Sequence, residues 1–270
     1  GGQRPGRPAL SGRAGRCTRF TAVILPGHDP KNCPGLRLRS RYRKTCAANS
    51  WRTSSFLGVL KLVLPKGSLE KATLDLFFDA DLAVDRSSAV DYRAAIDDPR
   101  IDEVRILRPQ EIPVYVADGL FDLGVTGRDW IAETGSDVAS LGLLHYSKAT
   151  ARPVRIVVAV PHAASYEKAA DLPPGTRVST EYPELTRRFF EDQGVDADIR
   201  LSYGATEAKV PDIVDVVVDL TETGRALQAA GLRIIDTIIT SHTELIANPE
   251  SYADPAKRHA MEQIHTLLEG

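Results

Sequence analysis

Cysteine is confined to one end of this chain. Cys17, Cys33 and Cys46 are the only three in 270 residues, so residues 59–270 can form no disulfide and offer a metal no thiolate. Their spacings of 16 and 13 match no zinc pattern, and a core without cysteine fits a reducing compartment. Methionine is absent before Met261. Long apolar runs are missing too: stretches such as IVVAV, Ile156 to Val160, are far shorter than the roughly 20 residues that cross a bilayer. No membrane partner is expected. Acidic residues are nearly absent from residues 1–58, which carry twelve Lys plus Arg against Asp29 alone. The other 212 residues then hold 22 basic and 35 acidic groups, a net charge near -13 that repels a nucleic-acid backbone. A small phosphorylated ligand, met by locally placed donors, suits this charge better than DNA or RNA.

Residues 1–58 are rich in Arg, Gly, Pro and Ser, with no periodicity beyond FTAVIL. They read as a disordered or non-native N-terminal extension. An Arg-rich, acid-poor segment is also the composition of an organelle-targeting sequence or a nucleic-acid arm. The expectation adopted is upstream sequence ahead of a true start near Val59 or Leu60.

From Leu60 onward, short apolar runs alternate with amphipathic stretches, the pattern of an α/β protein with largely parallel sheets. LKLVLP, VRILRP, FDLGVTG, VRIVVAVP, TRVSTE, DVVVDLT and LRIIDTII are the expected strands. SLEKATLDLFFDADL, IPVYVADG, ELTRRFFEDQG, TGRALQAAG and PAKRHAMEQIHTLLE have apolar residues at three-to-four spacing and are the expected helices. The chain is expected to leave a first lobe near Ala151 and return near Thr240. That gives one lobe of 59–150 plus 240–270 and a second of 151–239, with a ligand cleft between them.

Four motifs carry chemistry. In DVVVDLTETGRAL, Asp215 to Leu227, a strand runs into a loop of Thr221, Glu222, Thr223 and Gly224 that opens a helix. Backbone amides, hydroxyls and the helix dipole there suit a terminal phosphate, and Asp219 can accept ribose hydroxyls beside it. The same run also reads as ordinary capping, and Asp215 as a cap on the strand's start. LPKGSL places Lys66 and Gly67 at a helix start, either an anion site or a solvated turn. GVTGRDW puts Arg128 and Asp129 at another helix start, Arg128 able to fork onto a phosphate and Asp129 able to serve as N-cap. In STEYPELTRRF, Glu181 and Tyr182 end a strand where Pro183 begins a helix, a place from which they can contact a base or ribose or simply cap and pack. His145, His162, His242, His259 and His265 form no metal-binding spacing and read as structural or surface residues. No GxSxG, HExxH or Walker loop is present, so hydrolase and P-loop chemistries lack their parts.

Taken in order, LPKGSL, DLGVTGRDW, TEYPELTRRFFE, VVDLTETGRALQAAGLRIID and LIANPESY resemble the ATP phosphoribosyltransferase family over about Leu60 to Gly270. The resemblance implies a two-lobed α/β architecture like the type II periplasmic binding proteins. It implies transfer of the phosphoribosyl group of phosphoribosyl pyrophosphate to N1 of ATP, the first step of histidine biosynthesis. By the same resemblance, Thr221 to Ala226, including Arg225, hold the 5-phosphate. Lys66, Gly67, Arg128 and Asp129 surround the nucleotide and pyrophosphate, and Glu181 and Tyr182 approach ATP. Mg²⁺ is the implied cofactor, with its ligands undefined. The expected setting is cytoplasmic, as a homo-oligomer, with either a separate regulatory subunit or a C-terminal regulatory domain as in long family members. Two other readings stay open: a binding protein of the same architecture that transforms nothing, and a phosphoribosyltransferase for another base. The DLTETG loop argues against the first, and the GRDW and TEYP blocks argue against the second.

Overall fold

Three parallel strands, two of them buried on both faces, form the centre of the first sheet. In the computed structural model, which describes residues 58–146 and 153–269, β1 (Leu60–Pro65) exposes only Lys61 and Leu60 to Leu64 are otherwise buried. A strand covered on both sides reads as a continuous apolar run, and LKLVLP is one. After β1 come α1 (Glu70–Asp79), β2 (Val84–Asp85), β3 (Arg93–Ile96), β4 (Ile101–Leu107), α2 (Ile112–Ala117), β5 (Leu123–Gly127), α3 (Arg128–Thr134) and β6 (Ala139–Leu144). The chain continues through β7 (Val154–Pro161), β8 (Thr176–Thr180), α4 (Pro183–Asp192), β9 (Ala197–Leu201), β10 (Val216–Thr221), α5 (Arg225–Ala229) and β11 (Leu232–Ser241). It ends with β12 (Thr243–Ala247), α6 (Pro249–Ala253) and α7 (Pro255–Glu269). The extension through residue 57, with its cysteines and FTAVIL, lies outside the described residues.

The first sheet has the order β2-β3-β4-β1-β5-β12-β6 and the second β11-β7-β10-β8-β9. Both are mixed rather than largely parallel. β1 runs parallel to β4 and β5, but β12 pairs antiparallel with β5 and β6; β10 is parallel to β8 and antiparallel to β7. Some of the antiparallel pairing comes from the β2-β3-β4 run at one edge of the first sheet, and the rest from strands that flank the two passages between sheets. One follows β6; the other turns at His242 alone, between β11 and β12. Two mixed sheets joined by two passages make this a two-lobed α/β architecture. Both sheets belong to one compact unit, Thr53–Gly270.

All seven expected strands and five expected helices form, LKLVLP, VRIVVAVP and PAKRHAMEQIHTLLE with the expected ends and the others with shifted ones. β4 stops at Leu107, two residues early, because Pro109 has no amide to continue the ladder. β2, β3, β6, β9 and β12 escaped the sequence pattern. β12 shows why: TELIA is buried along its whole length, yet it contains a carboxylate, Glu244, at 1% exposure. Arg128 Nη1 at 3.0 Å and the Ser140 hydroxyl at 2.8 Å satisfy it, so hydropathy misreads the strand.

The LIANPESY segment fastens the far end of the first lobe. Asn248 accepts the Ser251 amide at 2.9 Å to start α6, while its side-chain amide donates to the Val116 and Ala117 carbonyls that end α2. Asp122 accepts from the Lys61 amide, the Ser251 hydroxyl and the Lys257 ammonium, at 2.8, 2.6 and 2.7 Å. Burial pushes its pKa up, but these three donors outweigh burial and hold it below the usual Asp value. Its contribution to stability is therefore present above the unfolded-chain value near 3.8 and is lost as pH falls through the lower folded value. Asp122→Asn should cost about 1–3 kcal/mol at neutral pH and flatten the acid limb of stability. Urea denaturation from pH 7 down to 3 checks this: an unchanged acid limb would remove Asp122 from this role.

Candidate active site

A cleft of about 340 Å³ lies between the two sheets, lined from both of them. From the first come Ser68 and Leu69 after β1, Gln110 after β4, Asp129 and Trp130 at the start of α3, and Leu144 to Tyr146 after β6. From the second come Glu181 and Tyr182 after β8, and Asp219 and Leu220 on β10. Ser241, His242 and Thr243 form the passage between sheets. Three carboxylates face this space, and no Lys or Arg lines it among the described residues.

Asp129 is the knot that ties these parts together. It is 3% exposed, and its Oδ1 accepts the Ser241 hydroxyl at 2.6 Å while Oδ2 accepts the Tyr182 hydroxyl at 2.9 Å. Its amide donates to Ser241 Oγ at 3.0 Å, and the Arg128 amide donates to the His242 carbonyl at 2.9 Å. The two first amides of α3 are thus spent on the passage strand. Gly127, the residue before α3, has to be glycine for the same reason: a Cβ there would stand 2.1 Å from Asp129 Oδ1. Tyr182 is 3% exposed, with its ring 4.5 Å from that of Trp130 at a 32° tilt. Burial, then the negative charge of Asp129, then the hydrogen bond it gives that carboxylate, push the Tyr182 pKa well above 10.0. The phenol is therefore a donor throughout the neutral range.

Three comparisons bear on what such a cleft serves. A family model described as ATP phosphoribosyltransferase matches residues 108–270. The ATP phosphoribosyltransferase of Chlorobium phaeovibrioides is 46% identical over 212 residues, covering 78% of this chain and 71% of that protein. The chain belongs to the ATP phosphoribosyltransferase family. The enzyme of that name from Pelotomaculum thermopropionicum is 44% identical over 211 residues, covering 78% and 72% of the two chains. Among solved structures, a chain of the Thermotoga maritima ATP phosphoribosyl transferase (HisG:HisZ) complex superposes with a TM-score of 0.67 at 26% identity, covering 78% of this chain and 97% of that one.

Of the residues that the family motifs single out, Asp129, Glu181, Tyr182 and Asp219 meet in the cleft. Lys66 and Gly67 stand just outside its lining. Lys66 Nζ lies 4.1 Å over the Tyr92 ring, and the Gly67 amide donates to Glu70 at 3.2 Å. Arg128 is half exposed and turned to Glu244. The Thr221–Ala226 loop lies beyond the lining too. Thr221 is buried and accepts the Gly224 amide at 2.7 Å, so Gly224 rather than a threonine precedes α5, and its φ of +76° is the turn that glycine permits. Thr223, Arg225 and Ala226 face solvent. Asp215 does not point toward the site: it forms a two-point ion pair with Arg177, which holds its pKa down.

Sequence reasoning missed Ser241, Trp130, His145, His242 and Gln110. Trp130 was within reach, since it closes the GRDW block, and Ser241 sits at the expected return between lobes. His145 and His242, read as structural, both line the cleft. Tyr182→Phe should cost about 1–3 kcal/mol by leaving a buried carboxylate oxygen without its donor. The wild-type protein should also lose stability as pH rises past 10.0, where the unfolded chain's tyrosine ionises and the folded one cannot. Urea titrations between pH 7 and 11 test both points; an identical alkaline slope in the variant would show that Tyr182 does not ionise as described.

Proposed function

We propose that this chain carries out its family's reaction in the cleft between its sheets, joining the phosphoribosyl group of phosphoribosyl pyrophosphate to N1 of ATP with loss of pyrophosphate. The observation that carries this is convergence. Asp129, Glu181 with Tyr182, and Asp219 come from three motif blocks that are far apart in sequence, and all face one cavity.

In this reading, adenine N1 attacks the anomeric carbon of the ribose while pyrophosphate leaves, and no covalent bond to the protein forms. The anomeric carbon becomes cationic as the bond to pyrophosphate stretches, and the carboxylates of Glu181 and Asp219 stabilise that charge in a cleft that no Lys or Arg lines among the described residues. Asp219 also accepts from the ribose hydroxyls. The loop from Thr221 to Ala226, whose exposed Thr223 and Arg225 offer donors, takes the 5-phosphate. Lys66 and Arg128 supply positive charge at the rim for pyrophosphate and the nucleotide, and Gly67 lets a phosphate approach the backbone closely. Orientation of two polyanions supplies much of the rate.

Mg²⁺ suits this donor set. Among the described residues, no group of three or more His, Cys, Asp or Glu is arranged to hold a metal, whereas Glu181 and Asp219 bring hard oxygen donors to the cleft. Mg²⁺ commonly keeps several waters and binds through one or two carboxylates plus substrate phosphates. Bound in that way, it shields the charge of the leaving pyrophosphate. A second copy of the chain and a separate regulatory chain are the partners proposed, the latter from the likeness to the Thermotoga complex. The proposed setting is the cytoplasm. No helix among the described residues is long and apolar enough to cross a membrane.

Incubating the protein with ATP, phosphoribosyl pyrophosphate and Mg²⁺ should yield phosphoribosyl-ATP, resolved by chromatography. Changing Thr223→Val together with Gly224→Ala should raise KM for phosphoribosyl pyrophosphate roughly tenfold or more, the worth of a charge-assisted hydrogen bond, and leave KM for ATP nearly unchanged. Equal rises for both substrates would remove the loop from the 5-phosphate.

A further inference from the structure

The two lobes also grip one another beside the cleft, where α3 of the first meets α4 of the second. Glu133, in the last turn of α3, uses both carboxylate oxygens there: Oε1 accepts the Glu184 amide at 3.0 Å and Oε2 the Leu185 amide at 2.8 Å. These amides open α4, where no earlier turn supplies an acceptor. Tyr182, the residue before α4, gives no side-chain cap, and Pro183 has no amide to satisfy. A helix of the second lobe is therefore capped by a side chain of the first.

The grip runs in both directions. Arg188 of α4 donates to the Ala132 carbonyl of α3. Trp130 stacks on Tyr182, and Trp130 and Ala132 pack against the apolar cluster of the second sheet that contains Tyr182, Leu185 and Phe190. All of these contacts require the lobes to be close together. Opening the cleft would break them and hand the α4 amides to water.

We propose that Glu133 is a positioning residue that latches the cleft closed. By capping α4 from across the lobes it sets the aperture and aims Glu181 and Tyr182, which follow β8 directly into α4, at the space facing Asp219. Its effect on catalysis rests on the reaction assigned above; the latch itself does not. A charged cap whose bond to the Glu184 amide is exposed to solvent biases the open–closed equilibrium without locking it, so substrates still enter.

Two readouts test this. The chain has two tryptophans, Trp51 and Trp130, so Trp51→Phe leaves Trp130 as a sole reporter of lobe contact. In that background, Glu133→Ala should raise acrylamide quenching of the ligand-free protein at least about twofold, as the closed population falls. KM for both substrates should rise about tenfold while kcat stays within about twofold, because saturating ligand recloses the cleft. Glu133→Gln, which keeps one acceptor, should fall between the two and serves in place of Glu133→Ala if that variant does not fold. Unchanged quenching in a variant with native far-UV circular dichroism would overturn the latch, as would a loss in kcat as large as the rise in KM. Altered quenching in a protein that makes no product would uphold the latch and sink the reaction instead.

Discussion

Asp129 sits at the start of a helix of the first lobe and is satisfied by hydroxyls carried by the second, and the whole cleft depends on that bond between the two. Its oxygens take one hydroxyl from Tyr182, at the head of α4 in the second lobe, and one from Ser241, at the last residue of the long strand β11. An uncompensated charge at 3% exposure would cost several kcal/mol, so the arrangement is self-enforcing. Gly127 has no Cβ because the carboxylate occupies that space, and the passage strand is held because α3 spends its first amides on it. The TEYP and GRDW blocks are thus one structural unit, although more than fifty residues separate Asp129 from Tyr182.

The charge around this unit is the reverse of what two polyanionic substrates suggest at first. Described residues lining the cleft include Asp129, Glu181 and Asp219 but neither Lys nor Arg, while Lys66 and Arg128 sit at the rim and are engaged elsewhere. That separation fits a reaction in which charge changes most at a carbon, not at a phosphate. Negative groups beside the anomeric carbon stabilise the transition state more than the ground state, whereas cations beside the phosphates mainly bind. Asp129 is not free to share in this, since both of its oxygens are occupied; it acts through Tyr182 and Ser241.

Much of the fold was legible because strands covered on both faces and helices with one apolar stripe leave distinct patterns. LKLVLP and VRIVVAVP could hardly be anything but strands, and in PAKRHAMEQIHTLLE the spacing of Met261, Ile264 and Leu268 gives the buried face directly. TELIA failed because Glu244 interrupts the apolar run, and only its distant partners Arg128 and Ser140 make it a core residue. Sheet direction failed for a related reason. Whether β12 runs with or against β5 depends on where the chain re-enters the first sheet, and that is a fact about the whole path rather than about five residues.

The site was less legible than the fold, and helix starts show why. In sequence the motif before Gly224 looks like a set of amides offered to an anion, the one at Arg128 like a guanidinium offered to a phosphate, and the one at Pro183 like a place to contact a base or ribose. In the structure, α3 gives its first amides to His242 and Ser241, α4 gives its own to Glu133, and the Gly224 amide turns back to Thr221. A helix start binds an anion only where no internal acceptor reaches it first, and such acceptors come from other elements, here more than 110 residues away in the chain. Sequence can therefore say where anion sites are permitted, and tertiary packing decides which are spent. The loop before α5 differs from the other two helix starts in one respect: the acceptor that reaches it, Thr221, is its own neighbour, and Thr223 and Arg225 remain turned to solvent. An acceptor supplied from within a loop shapes the loop without closing it to a ligand, and this is the physical ground for placing the phosphate there rather than at α3 or α4.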